Sequence, residues 1–133
     1  MDKQDIFEPG IQVDAGFAQI IVENIKTGRK IPLPPLSCLF WEEDGRRFIH
    51  CLELDLLSDG ATEKEAADIL KGIVFDQMRS AKEDHAELSH PAPQAYWDKF
   101  FEIHRNQVLQ AFLDAAPNGS SIKVRELALT HAQ

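Results

Sequence analysis

At 133 residues, with 44% hydrophobic and 27% charged side chains, the chain has the size and composition of one soluble globular domain with a core of its own. Its net charge of -8 argues against unaided nucleic-acid binding, since phosphates would be repelled, and leaves room for a basic protein partner. No apolar run approaches the roughly 20 residues that span a bilayer, and the opening MDKQDIFEPG has no basic-then-apolar order of a secretory signal. The expected location is the cytoplasm, with both cysteines as free thiols.

Residues 1 to 10 are polar, contain Pro9-Gly10, and are expected to form a loosely held arm. From Ile11 to Asn24 the pattern is strand-like, with Ala18, Ile20 and Val22 alternating against Gln19, Ile21 and Glu23, and with Gly16 marking a bulge or turn. Asn24 to Lys30 is polar around Gly28 and reads as a hairpin turn returning through Ile31. Pro32, Pro34 and Pro35 then forbid regular ladder pairing and predict an extended connector or edge.

Two apolar runs flank Asp44-Gly45, the strongest short-range hairpin signal a sequence carries. With those two residues as the loop, positions whose numbers sum to about 89 face each other, by the two-residue turn rule. Glu43 then opposes Arg46, Glu42 opposes Arg47, Trp41 opposes Phe48, Phe40 opposes Ile49 and Cys38 opposes Cys51. Both charge pairs have the right sign, and aromatic rings meet apolar partners. Alternation puts Cys38, Phe40, Ile49 and Cys51 on one face and Leu39, Trp41, Phe48, His50 and Leu52 on the other. A sheet apolar on both sides needs a cover on each.

Glu53 to Gly60 reads as a loop, with Asp59-Gly60 as the turn before a helix. Thr62 followed by Glu65 is a capping box. Ala66, Ile69, Leu70, Ile73, Val74, Met78 and Ala81 form one apolar stripe. Gly72 lies within this helix at a cost of about 1 kcal/mol relative to alanine. Lys82 to His90 ends the helix, and Pro91 and Pro93 reset the chain. A second helix starts near Gln94, with Tyr96, Trp97, Phe100, Phe101, His104, Val108, Phe112 and Ala115 as an aromatic-rich face, and Pro117-Asn118-Gly119 stops it. Ile122, Val124, Leu127 and Leu129 predict a last strand.

Catalytic signatures are sparse. There is no glycine-rich phosphate loop, no Cys-x-x-Cys and no His-Glu-x-x-His, and the serines lack a nucleophile-elbow context. His50 falls on the opposite strand face from Cys38 and Cys51, so those three cannot share an ion, and no cofactor is expected. The acids Glu53, Asp55 and Asp59 are dense enough to keep one enzymatic rival open, a metal-dependent nuclease.

The segment DGRRFIHCLELDLLSDGATEKEAADILKGIVFDQM resembles the HicB-like antitoxin family. Gly45-Arg46-Arg47-Phe48 stands for that family's strand start, Gly60-Ala61-Thr62 for its Gly-x-Thr turn, and Glu63-Lys64-Glu65-Ala66 for its helix opening. The resemblance covers residues 36 to 80, about a third of the chain. It implies a partial ribonuclease-H-like fold without catalytic residues, self-association, and a small basic toxin as partner. The family's loop proline and Gly-Cys are replaced here by Glu53, Leu54, Asp55, Leu56 and Leu57, and neither of its usual DNA-binding tails follows Ser89.

The expectation is therefore an α+β fold: a small twisted antiparallel sheet with one helix on its central hairpin and a second, aromatic-rich helix. The expected function is a non-enzymatic interaction protein whose partner-binding residues are Leu39, Trp41, Phe48 and His50, unless residues 95 to 115 cover them within the chain. The rivals are the nuclease with Glu53, Asp55 and Asp59, and a homodimer joined by sheet edges without a toxin.

Overall fold

Asp44 and Gly45 both sit at positive φ, 53° and 76°, as a type I′ turn requires of its two central residues. The computed structural model, which describes residues 6–87, 90–115 and 125–129, carries that turn between strands β4 (Leu36–Glu43) and β5 (Arg46–Cys51). The register runs from Glu43 opposite Arg46 to Cys38 opposite Cys51, with Trp41 opposite Phe48, as the turn alone predicts. The Trp41 and Phe48 rings stack at 5.3 Å, and Arg47 meets Glu42 at 3.3 Å. Arg46 instead turns to Asp59 on the neighbouring strand.

Strand β1 (Val13–Ala18) pairs antiparallel with β4, and β6 (Leu56–Gly60) pairs antiparallel with β5, giving the order β1-β4-β5-β6. The passage expected as one strand from Ile11 to Asn24 divides. Its second part, β2 (Ile21–Glu23), leaves the sheet and forms a separate two-stranded arm with β3 (Lys30–Pro32). Asn24 makes the arm's turn: its side-chain oxygen accepts from the backbone N–H of Lys26 and of Thr27, and Gly28 follows at φ 71°. Gly16 is no turn but sits inside β1, where the absent side chain admits the Phe40 ring at 3.1 Å from where a Cβ would stand.

Strand β6 corrects the expected loop. Asp59-Gly60 has the composition of a turn, but Ser58, facing Ile49, sends its hydroxyl to the Ala66 carbonyl at 2.8 Å and ties the segment into the core. Helix α1 (Glu63–Glu83) then starts as predicted: Thr62 Oγ1 accepts from the Glu65 backbone N–H at 3.1 Å. Ala66, Leu70 and Val74 are buried against Cys38, Ile49, Cys51 and Leu54. Burying Leu70 and Val74 contributes about 1.5–3 kcal/mol each. Ile69, expected in the same stripe, remains exposed beside the Ala66–Leu70–Val74 row, and Met78, the next residue of that row, is exposed one turn beyond its last buried member.

Helix α2 (Gln94–Ala115) covers the other face. Leu39 and Leu52 are fully buried with Val13, Ala15, Ala92 and Phe100, flanked by Tyr96, Trp97 and Ile103. The architecture is thus α+β, an antiparallel sheet held between two helices. The amino-terminal arm is anchored where it is described: Phe7 is buried, edge-on to Trp41 at 4.9 Å. The expected last strand is absent over residues 125–129, which are exposed and irregular, while Ile122, Val124 and the Pro117-Asn118-Gly119 stop lie outside the described residues.

Gly60 sits at the tightest junction. A Cβ there would lie 2.8 Å from the Ala66 backbone nitrogen and 2.9 Å from Glu65 Cβ, in the first turn of α1, so a side chain forces strand and helix apart. Gly72 in mid-helix faces open space. Gly60→Ala is expected to destabilise by about 1–3 kcal/mol, and Gly72→Ala to stabilise by about 0.5–1 kcal/mol. Urea melts read both, and a Gly60→Ala midpoint equal to wild type would refute the close junction.

Candidate partner-binding groove

The four residues expected to bind a partner lie on the α2 side of the sheet, and the structure closes much of that side within the chain. Leu39 is 0% exposed and His50 6%, whereas Trp41 and Phe48 are half-buried toward the hairpin end. His50 is held on two sides. Its Nε2 lies 2.7 Å from Asp55 Oδ1, and the Tyr96 ring packs edge-on at 4.8 Å. Asp55 takes this position at φ 50°, a left-handed conformation aspartate tolerates better than most residues. The pair secures the 52–55 turn between β5 and β6 against α2.

The three acids of the nuclease rival do not come together. Glu53 accepts from the Ser37 backbone N–H at 2.7 Å, Asp55 is on His50, and Asp59 is on Arg46 two strands from β4. Each carboxylate has a separate partner, and among the described residues no three His, Cys, Asp or Glu side chains converge as a metal site would need. Sequence density placed these acids near each other along the chain; the β5–β6 turn spreads them in space.

Cys38 and Cys51 are directly opposed and fully buried beneath α1, both as free thiols. Leu52 N–H donates to Ser37 O at 2.9 Å in the next pair along, so the cysteines occupy a non-hydrogen-bonded pair, where side chains are closest. The Cys38 thiol is held far above its ordinary range by its hydrogen bond to Cys51 and then by burial. Nucleophilic chemistry needs a thiolate, which this site withholds from Cys38.

An open apolar surface lies elsewhere, between the β2–β3 arm and α1. The arm stands beside the sheet as a wall: Leu33 N–H donates to Ile20 O at 2.8 Å, and Gln19 reaches the Leu33 carbonyl. With Pro34 and Pro35 it encloses a groove of about 920 Å³, whose floor is Gly72, Val74, Phe75 and Met78 of α1. Ile21, Phe75 and Met78 are all exposed there. Glu23, Glu53, Asp68 and Asp76 also line the groove, against Lys71 alone among basic residues. Asp68 is held below the usual carboxylate range by its hydrogen bond and attraction to Lys64, with Lys71 adding to it, so it stays ionised at neutral pH.

The sequence carried a signal for this groove that periodicity alone discards. Phe75 stands about 100° round the helix from Val74, among Lys71, Asp76 and Arg79, too far for the sheet to cover both, and Met78, though in the Leu70–Val74 row, comes one turn after its last buried member. The exposure of a phenylalanine next to a charged residue follows only once the arm is known to stand off from α1. Comparison with protein-family models, curated proteins and solved structures returns no match. No helix among the described residues is long and apolar enough to cross a membrane.

Native protein is expected to resist an aromatic disulfide reagent at both cysteines, and to titrate two thiols once unfolded in guanidinium. Rapid reaction of either thiol in the native state would contradict the buried pair.

Proposed function

We propose that this chain is a non-enzymatic interaction protein of the HicB-like antitoxin kind, and that it takes a segment of a small basic partner into the groove between the β2–β3 arm and α1. The observation that carries this is the groove: about 920 Å³, apolar along its floor, exposed, and edged by more carboxylates than ammonium groups. An apolar trough of this form accepts the apolar stripe of an amphipathic segment, whose anchors at i, i+3, i+4 or i+7 would seat on Ile21, Phe75 and Met78. Lysines or arginines flanking that stripe would meet Glu23 and share Asp68 and Asp76 with Lys64 and Arg79, and the chain's charge of -8 would steer such a partner toward it.

Leu39 and His50 are occupied in packing, so partner contact falls to side chains that the fold leaves free. The resemblance over residues 36 to 80 supports the same reading, since the groove's floor lies in that stretch. Its toxin-neutralising role comes from the resemblance, while the groove itself supports binding of a basic, amphipathic segment.

The test is co-expression of the tagged chain with the product of the adjacent reading frame, expected to be a small basic protein, followed by affinity capture. Retention of that protein at low salt, weakened at least tenfold by Phe75→Asp or Met78→Asp, is the expected outcome. Because both side chains are exposed, the variants should melt within about 0.5 kcal/mol of wild type. Capture unaffected by either variant would place the partner on another surface, and absence of capture would remove the proposal.

A further inference from the structure

The sulfur pair beneath α1 has the geometry of a bridge in waiting. Cys38 and Cys51 face each other in a non-hydrogen-bonded pair of β4 and β5, where Cα atoms stand about 4.5 Å apart. That separation lies inside the span of roughly 4.4–6.8 Å that a disulfide bridges, so the backbone needs no shift to admit one. The register comes from the Asp44-Gly45 turn and holds through Leu52, whose N–H donates to the Ser37 carbonyl at 2.9 Å. The chain has two cysteines, so within it each is the other's one disulfide partner.

The two thiols are unequal. Backbone N–H groups of Leu54 and Glu53, in the turn after β5, donate to the Cys51 sulfur, and the Cys38 thiol donates to it as well. The Cys51 thiol is held below its ordinary range, first by the Cys38 hydrogen bond and then, against burial, by those N–H groups. Cys38 receives one backbone donor, from Ala18, has the Leu36 carbonyl at 3.6 Å as a second acceptor, and keeps its proton. One sulfur is thereby set to attack and the other to resolve. A cysteine that serves as a small hydrophobe needs no such donors aimed at its sulfur.

We infer that Cys38 and Cys51 are a redox-sensitive pair, joined reversibly as a disulfide by a peroxide oxidant and locking the hairpin on which both helices rest. The Cys51 sulfur attacks one peroxide oxygen, the O–O bond breaks, and the leaving hydroxide takes up the proton Cys51 had released, becoming water. Cys38 then attacks the Cys51 sulfur. The S–S bond forms as the S–O bond breaks, and the Cys38 proton leaves with the hydroxyl as a second water. Two thiols thus give two electrons to one peroxide. Both sulfurs are 0% exposed, which favours an oxidant scarcely larger than water and shuts out bulky disulfides. Burial beneath Ala66, Leu70 and Val74 makes the reaction wait on brief opening of α1 from the sheet. The bond closes a loop of about 14 residues around the turn and so restrains the unfolded chain.

The test treats the native full chain with hydrogen peroxide and weighs it by mass spectrometry without reductant. The expected product is a single chain lighter by about two mass units, the two thiol hydrogens, and restored by dithiothreitol. A peptide joining Cys38 to Cys51 should appear in the non-reduced digest. The oxidised protein should melt roughly 5–10 °C above the reduced one. Cys38→Ser, which keeps a donor facing Cys51, should accumulate a sulfenic acid trapped by dimedone, whereas Cys51→Ser should not. Unchanged mass, a disulfide between chains, sulfinic acid in place of the bridge, or an oxidised form that melts no higher would each overturn the inference. Dimedone label on Cys51→Ser, or none on Cys38→Ser, would overturn the roles given to the two sulfurs.

Discussion

A two-residue turn at Asp44-Gly45 constrains almost everything else in this molecule. By setting Trp41 against Phe48 and Cys38 against Cys51, it determines which side chains share a face. Both faces come out apolar. A slip of one residue would exchange the faces of one strand relative to the other and put Leu39 beside the cysteines. The register is held because each face has its own cover: α1 over Cys38, Ile49 and Cys51, and α2 with Phe7 over Leu39 and Leu52. The turn and the two helices are thus mutually dependent, since neither helix has a complete core without the other strand face being sealed.

The same arrangement leaves apolar surface that the chain does not consume. On α1 the sheet accepts only the Ala66, Leu70 and Val74 row, and the arm of β2 and β3 stands off by the width of a groove, so Phe75 and Met78 face outward into it. On α2 the sheet ends after about half the helix, and the apolar residues beyond that point turn to the far side. These two surfaces differ in charge. The groove is edged by acids, whereas the far side of α2 has no charged residue from Asn106 to Leu113. The acids are why an oppositely charged segment is proposed for the groove.

Groups that looked chemically active along the chain are engaged in contacts within the fold. Glu53 caps a backbone N–H, Asp55 holds His50 against Tyr96, and Asp59 pairs with Arg46. The two cysteines fill the closest cross-strand position beneath α1. The Glu53 and Asp55 contacts offset the desolvation of groups that the compact turn would otherwise strand.

Much of the fold was legible in residue order because its determinants are local. Asp-Gly between alternating runs specifies a hairpin and its register, Thr62 with Glu65 specifies a helix start, and Asn24 with Gly28 specifies the second turn. Strand β6 was not legible, since Ser58-Asp59-Gly60 has the composition of a turn and becomes a strand only by pairing with β5 and by the space Gly60 leaves for α1. Nor was the division of α2 into an inner and an outer face, because periodicity counts apolar residues without knowing where the sheet stops. By itself, then, the sequence determined the central hairpin and its register, both helices and the need for two covers, because turn, cap and alternation signals are local. Tertiary structure alone decided which apolar rows are spent in the core and which stay open as a groove and a stripe, because that depends on how far each sheet edge reaches along a helix.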